Sequence, residues 1–270
     1  MAAATAQPRR DAPALSRTDA GSEIAARAVG PSAPEPSDAP EPSDAPERRE
    51  AVVFGSSSVK SSLGRVIEAD LERWGFDVTR RGVVSAGLAR PDFCDLREVL
   101  NTMPIGEETA AVFVYVGMND GQAIWLRPSE RDESGERWLA WQDPRWSEVY
   151  TRRARRLFRS ICERGAERTI VLLPVAVEQG SLERKMQRIR KLQRRAARDA
   201  SCATPVSTLG DREAFARDAK RLRLRDGFHL TTTGAELVWR RVQERANLLL
   251  RAPGLRDSRP NNAPPPGLPR

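Results

Sequence analysis

Residues 51–54, Ala-Val-Val-Phe, form a short apolar run that stops at Gly55, and apolar positions then recur with helical spacing to about Trp74. This pattern predicts a strand, a turn carrying Ser56, Ser57 and Ser58, and a helix, the first half of a βαβ unit. Alternation over 76–84 predicts a second strand leading into the loop 85–93, and 95–102 reads as a short helix. The run 110–116, Ala-Ala-Val-Phe-Val-Tyr-Val, is apolar throughout and predicts a strand buried on both faces, ending at Gly117-Met118-Asn119-Asp120. Helical spacing returns over 146–164, an apolar strand over 169–175, and an amphipathic helix over 181–199. A last short strand is expected over 205–209, and a helix over 235–250 with Thr231, Thr232 and Thr233 as its caps. Alternation of this kind predicts an α/β domain of three layers, α/β/α, with a mainly parallel sheet whose strand ends build the site at one edge.

Composition narrows the domain. Residues 1–48 are rich in Pro, Ala and Ser, contain the repeat Pro-Glu-Pro-Ser-Asp-Ala, and hold few large apolar side chains. Such a segment buries too little to offset its ordering entropy, so it is expected to be a disordered arm, and the Pro-rich 251–270 a disordered tail. One domain over 49–250 remains. Between Gln122 and Pro144 three tryptophans, Trp125, Trp138 and Trp141, sit among charged residues, either lining a cleft or stapling the connection to the core.

The formal charge of +8 and the Arg- and Lys-rich run 181–199 would suit a polyanion. Leu182, Met186, Ile189, Leu192 and Ala196 share one face of that run, however, and no aromatic residues interleave its basic ones. It is therefore read as a surface helix with a solvated basic side, and nucleic acid is not expected as a partner. Cys94, Cys162 and Cys202 lie far apart without metal-ligand spacing and read as small buried residues. No apolar run approaches the roughly 18 residues of a membrane span, and the first 30 residues lack the apolar centre of a secretion signal. The chain as given is expected to be soluble, with its compartment open, since an upstream start would add a leader.

His229 is the only histidine. Where chemistry needs a base near neutral pH without a metal, it is the first candidate. Asp226 precedes it by three residues, a spacing that one tight turn can close so that the carboxylate meets the imidazole. The same pair also reads as a solvated Asp and a histidine that happens to precede a helix.

Order adds what no single block carries. Gly55-Ser56-Ser57 after the first strand, Gly87 in the next loop, Gly117-Met118-Asn119-Asp120 after the central strand and Asp226-Gly227-Phe228-His229-Leu230-Thr231 before the last helix resemble the four blocks of the SGNH (GDSL-type) hydrolase superfamily. The resemblance runs from about Val52 to Leu250, and implies a serine esterase that hydrolyses or transfers a small O-acyl group through an acyl-serine. O-acetyl on carbohydrate is the first substrate expected. It implies Ser57 as nucleophile, His229 as base and Asp226 as the carboxylate that orients it. The Ser57 N–H, the Gly87 N–H and the Asn119 side-chain amide match the oxyanion hole, and no cofactor or metal is implied. One position departs from the pattern: Ser56 stands where the superfamily usually has Asp. Ser56 or Ser58 would be the attacking residue if the turn were shifted by one. The alternative from another class is a binding protein that keeps the fold without activity and takes a polysaccharide or other polyanion.

Overall fold

The computed structural model describes residues 49–209 and 218–251. The expected arm over 1–48, and the expected tail apart from Arg251, lie outside them. Strand β1 (Arg49–Gly55) leads through α1 (Ser57–Lys60) and α2 (Ser62–Arg73) to β2 (Phe76–Gly82), and α3 (Leu96–Asn101) precedes β3 (Thr109–Tyr115). A hairpin of β4 (Ile124–Trp125) and β5 (Trp138–Leu139) follows, then α4 (Trp146–Glu163), β6 (Thr169–Leu172), α5 (Gly180–Arg198) and β7 (Ala203–Val206). Last come α6 (Ala219–Leu222) and α7 (Thr232–Arg251).

Five strands form one sheet in the order β2-β1-β3-β6-β7, and every pairing in it is parallel. Because β2 lies on one side of β1 and the later strands on the other, the winding reverses between β1 and β3. In open α/β sheets the crevice beyond the carboxyl ends of such a pair is where ligands bind. Helices α2 and α7 pack together, as do α4 and α5, the two helical layers of the α/β/α arrangement. Strand β3 is buried at all seven positions, as its apolar run from Ala110 to Tyr115 requires, and Thr109 at its start is enclosed with it. Phe113 from β3 meets the edge of Trp239 on α7, and Trp74 lies against the same indole.

Four sequence expectations need correction. The helix after β1 is broken at Ser61, where ψ is −143°, and the Val59 and Lys60 carbonyls beside the break accept hydrogen bonds from Arg80. Strand β6 stops at Leu172, short of 175. Pro174 has no N–H to give the ladder, and the carbonyls of Pro174 and Val175 accept from Arg190. Strand β7 starts at Ala203 and holds Pro205 in its interior, which it tolerates because it is an edge strand paired on one side only.

The fourth correction concerns cysteine. Cys162 near the end of α4 and Cys202 just before β7 form a disulfide across a separation of 40 residues. Helix α5 runs beside α4 in the same direction, with Arg188 meeting Ser147 near the start of α4 and Asp199 meeting Arg155 further along, so residues at the ends of the two helices become neighbours. A link closing a loop of that length stabilises a fold by about 4 kcal/mol in the chain-entropy model. Cys94 is the free thiol.

The basic run is less free than its composition suggested. Arg190 is buried and paired with Glu183, while Arg188 stacks over Trp141 and Trp146 and donates to the Trp141 carbonyl. Lys185 donates to the Gly121 carbonyl. These cations hold loops, whereas Arg184, Lys191, Arg195 and Arg198 face solvent. The tryptophan connection is stapled: the Trp125 N–H bonds the Ala89 carbonyl and Trp141 packs on Trp146, with Trp138 left exposed under the Arg90 guanidinium.

Candidate active site

The turn after β1 places Ser57 at the first residue of α1, and the Ser56 N–H is anchored to the Tyr115 carbonyl at the end of β3. Ser57 Oγ lies 2.8 Å from His229 Nε2, and His229 Nδ1 lies 2.7 Å from Asp226 Oδ2. An ionised carboxylate can only accept, so it fixes the proton on Nδ1 and leaves Nε2 as acceptor for the serine hydroxyl. That chain of contacts is the one in which an imidazole can take a proton from an attacking hydroxyl. Of the three consecutive serines only Ser57 reaches the ring. Ser56 is fully buried, its hydroxyl without a hydrogen bond among the described residues, and Ser58 is also buried.

Local chemistry folds the histidine segment. Asp226 Oδ1 accepts from the Phe228 and His229 N–H groups at 2.8 and 2.9 Å, an Asx-type turn, while Gly227 adopts a φ of 65° that glycine takes without steric cost. The Leu224 N–H closes the turn on the His229 carbonyl, and Arg223 donates to the Phe228 carbonyl and to that of Ala176 in the loop after β6. Thr231 then caps α7 by accepting from the Gly234 N–H. Partial burial alone would raise the Asp226 carboxyl. The hydrogen bonds from the His229 ring and from the Phe228 and His229 N–H groups outweigh it and hold the group below the usual carboxylate range.

The other half of the site comes from the loops after β2 and β3. Asn119 Nδ2 donates to the Ala86 carbonyl at 2.9 Å, which uses one of its two N–H bonds. A Cβ on residue 87 would lie 2.2 Å from Asp120 Oδ1 and 3.5 Å from the Asn119 Cβ, so only glycine allows this close approach of loop and carboxylate. Within the described chain no hydrogen bond is made to the N–H of Ser57 or of Gly87. The structure therefore brings Ser57, His229 and Asp226 into one hydrogen-bonded chain, and Gly87 beside Asn119. Among the described residues no group of three or more His, Cys, Asp and Glu side chains gathers as a metal site would require, and no helix is long and apolar enough to cross a membrane.

The model of the family described as protein of unknown function (DUF459) matches residues 50–245. The chain belongs to the DUF459 family. Solved structures similar to this DUF459 chain include an α/β hydrolase enzyme, LAE5, from the metagenome of Lake Arreo, Spain, at 16% identity and a TM-score of 0.52, covering 76% of this chain and 97% of that one. Another is Axe2, an acetylxylan esterase from Geobacillus stearothermophilus, at 16% identity and a TM-score of 0.50, covering 73% and 93%. These are SGNH-type hydrolases, and at such identity they establish that the DUF459 domain has the SGNH-type fold. No curated protein matches the sequence.

Sequence reasoning missed the side chains that hold the loops. Asp120 reads in the sequence as part of a turn or a binding edge after the central strand, not as a buried tie to Ala89 and Tyr150. Arg153 falls on the core face of α4 between Tyr150 and Leu157, where an unpaired arginine would be costly, and that position was a readable signal for a buried partner. Tyr150 and Arg223 offered no signal beyond ordinary spacing.

Proposed function

We propose that the domain is an SGNH-type serine esterase. Ser57 Oγ attacks the ester carbonyl while His229 Nε2 takes its proton, and Asp226 holds the imidazolium that results. The carbonyl oxygen becomes an oxyanion beside the Ser57 N–H, the Gly87 N–H and the second N–H of the Asn119 amide. Collapse of the tetrahedral intermediate breaks the C–O bond, and His229 passes its proton to the departing alcohol. Water, or an acceptor hydroxyl, then attacks the acyl-serine with His229 again as base, which returns Ser57. The single observation that carries this reading is the chain from Ser57 through His229 to Asp226, closed at 2.8 and 2.7 Å between residues 172 and 3 positions apart.

Small O-acyl esters, with O-acetyl on carbohydrate first among them, are the proposed substrates. A neighbour of the same fold is named as an acetylxylan esterase, and variants of it with one serine or one aspartate replaced by alanine are named catalytic mutants. Ser56 takes the place of the usual Asp without contacting the imidazole, so the proton path does not run through it. The test is hydrolysis of p-nitrophenyl acetate by wild type, Ser57→Ala and His229→Ala. Wild type is expected to turn over, and each variant to lose about 10⁴-fold or more. A wild-type rate no greater than that of the variants would remove the esterase reading and leave a binding protein.

A further inference from the structure

The loop that carries Gly87 is clamped on nearly every backbone group. The Ala86 carbonyl accepts from Asn119, and the Leu88 carbonyl accepts from Arg153 Nη1 at 2.7 Å. The Ala89 carbonyl accepts from the Trp125 N–H and, more distantly, from the same guanidinium, and the Ala89 N–H donates to Asp120 Oδ1 at 2.8 Å. The Leu88 N–H faces the same carboxylate. Ser85, at the start of the loop, has a φ of 57°, a left-handed conformation that a serine keeps only where its surroundings impose it. Among the N–H groups of Gly87, Leu88 and Ala89, the one left unused is that of Gly87.

Asp120 is the centre of that clamp, and it is itself held from behind. Its Oδ2 accepts from the Tyr150 hydroxyl at 3.0 Å, and that hydroxyl accepts from Gln193 Nε2 at 3.0 Å. Gln193 also donates to the Val116 carbonyl at the end of β3. Asp120, Tyr150 and Gln193 are all buried, so water cannot replace a lost partner without opening the core. Arg153 is buried too and is paired with Glu130, so its guanidinium reaches the Leu88 carbonyl from a fixed position.

Resting on the esterase reading of the site, we infer that Asp120 is a positioning residue for the oxyanion donor. Its carboxylate, packed against the Gly87 Cα and tied to the Ala89 N–H, holds the 86–89 loop in the conformation that leaves the Gly87 N–H free beside Asn119. Asp120 touches no reacting atom. Its effect is on the transition state, in which charge grows on the carbonyl oxygen, rather than on the bound ester.

The experiment measures kcat and KM for p-nitrophenyl acetate in wild type, Ser57→Ala, Asp120→Asn and Asp120→Ala, with active sites counted by endpoint labelling with a fluorophosphonate. Counting sites removes any loss due only to unfolded protein. Asp120→Asn keeps an acceptor for the Ala89 N–H but not for the Tyr150 hydroxyl, and is expected to lower kcat per labelled site about 10-fold. Asp120→Ala loses both acceptors and is expected to lower it about 100-fold, the scale of one lost oxyanion donor, with KM within about 3-fold of wild type in both. Should Asp120→Ala not fold, Asp120→Asn decides. A kcat per labelled site in Asp120→Asn within about twofold of wild type would overturn the inference, while an inactive Ser57→Ala in the same assay would leave the esterase reading intact. A wild type no faster than Ser57→Ala would take both down together.

Discussion

Two carboxylates sit at this site, and they are built in opposite ways. Asp226 lies in an exposed turn, three residues from the histidine it serves, and its donors are its own close neighbours in the chain. Asp120 is buried in the loop after β3, and its donors come from residues 31 and 30 positions away, the Ala89 N–H and the Tyr150 hydroxyl. Burial pushes the Asp120 carboxyl up despite those hydrogen bonds and the Arg153 charge, whereas Asp226 is held down. The proposed acid–base half of the site is a local device built within one surface turn. The half that would receive developing charge is part of the core, so its geometry and the stability of the fold depend on the same contacts.

Changes at the two carboxylates should therefore separate rate from stability. Asp226→Asn is expected to lower kcat roughly 10² to 10⁴-fold, because the wrong imidazole tautomer is favoured, while thermal stability stays within about 0.5 kcal/mol of wild type. A melting curve beside the esterase assay checks both. Gly87→Ala should lower both. Its Cβ would press on Asp120 Oδ1, and a stability loss of about 1–3 kcal/mol is expected in denaturant titration, together with a lower kcat. A fully stable Gly87→Ala would contradict the close packing of loop and carboxylate.

The smallest effect expected is in the pH dependence of stability. Asp226 has a folded pKa below its unfolded one, so its contribution is present above about pH 4 and is lost as pH falls through the lower folded value. For Asp120 the folded pKa is raised, so its contribution is full below about pH 4 and is lost as pH rises through the folded value. Replacing Asp120 by Asn should remove a decline in stability on going from pH 4 upward, and replacing Asp226 a decline on going below it. Equal slopes in the two variants would contradict the contrast.

What the sequence made legible follows the same division. The order of strands and helices was readable because β3 is apolar from Ala110 to Tyr115 and the helices carry clear amphipathic spacing. Asp226 and His229 were readable because three residues and one glycine suffice to join them. In the sequence Ser57 is preferred over Ser56 and Ser58 through its spacing from Gly55 alone, and the 2.8 Å contact to His229 adds the physical reason. The links from Asp120 to Ala89 and Tyr150, and that between Cys162 and Cys202, depend on how the β2, β3, α4 and α5 segments return to one another, which no local pattern encodes. The carbonyls beside the break at Ser61 likewise find their partner in Arg80, a side chain on β2.

The most direct measurement is treatment of the purified protein with a fluorophosphonate ester, followed by peptide mapping of the adduct by mass spectrometry. One adduct per chain on Ser57, absent in His229→Ala over the same time, is the expected result, because only a hydroxyl deprotonated by the imidazole displaces the fluoride rapidly. An adduct on Ser56 or Ser58, or labelling that proceeds equally well without His229, would contradict the assignment of Ser57 and His229 as a working pair.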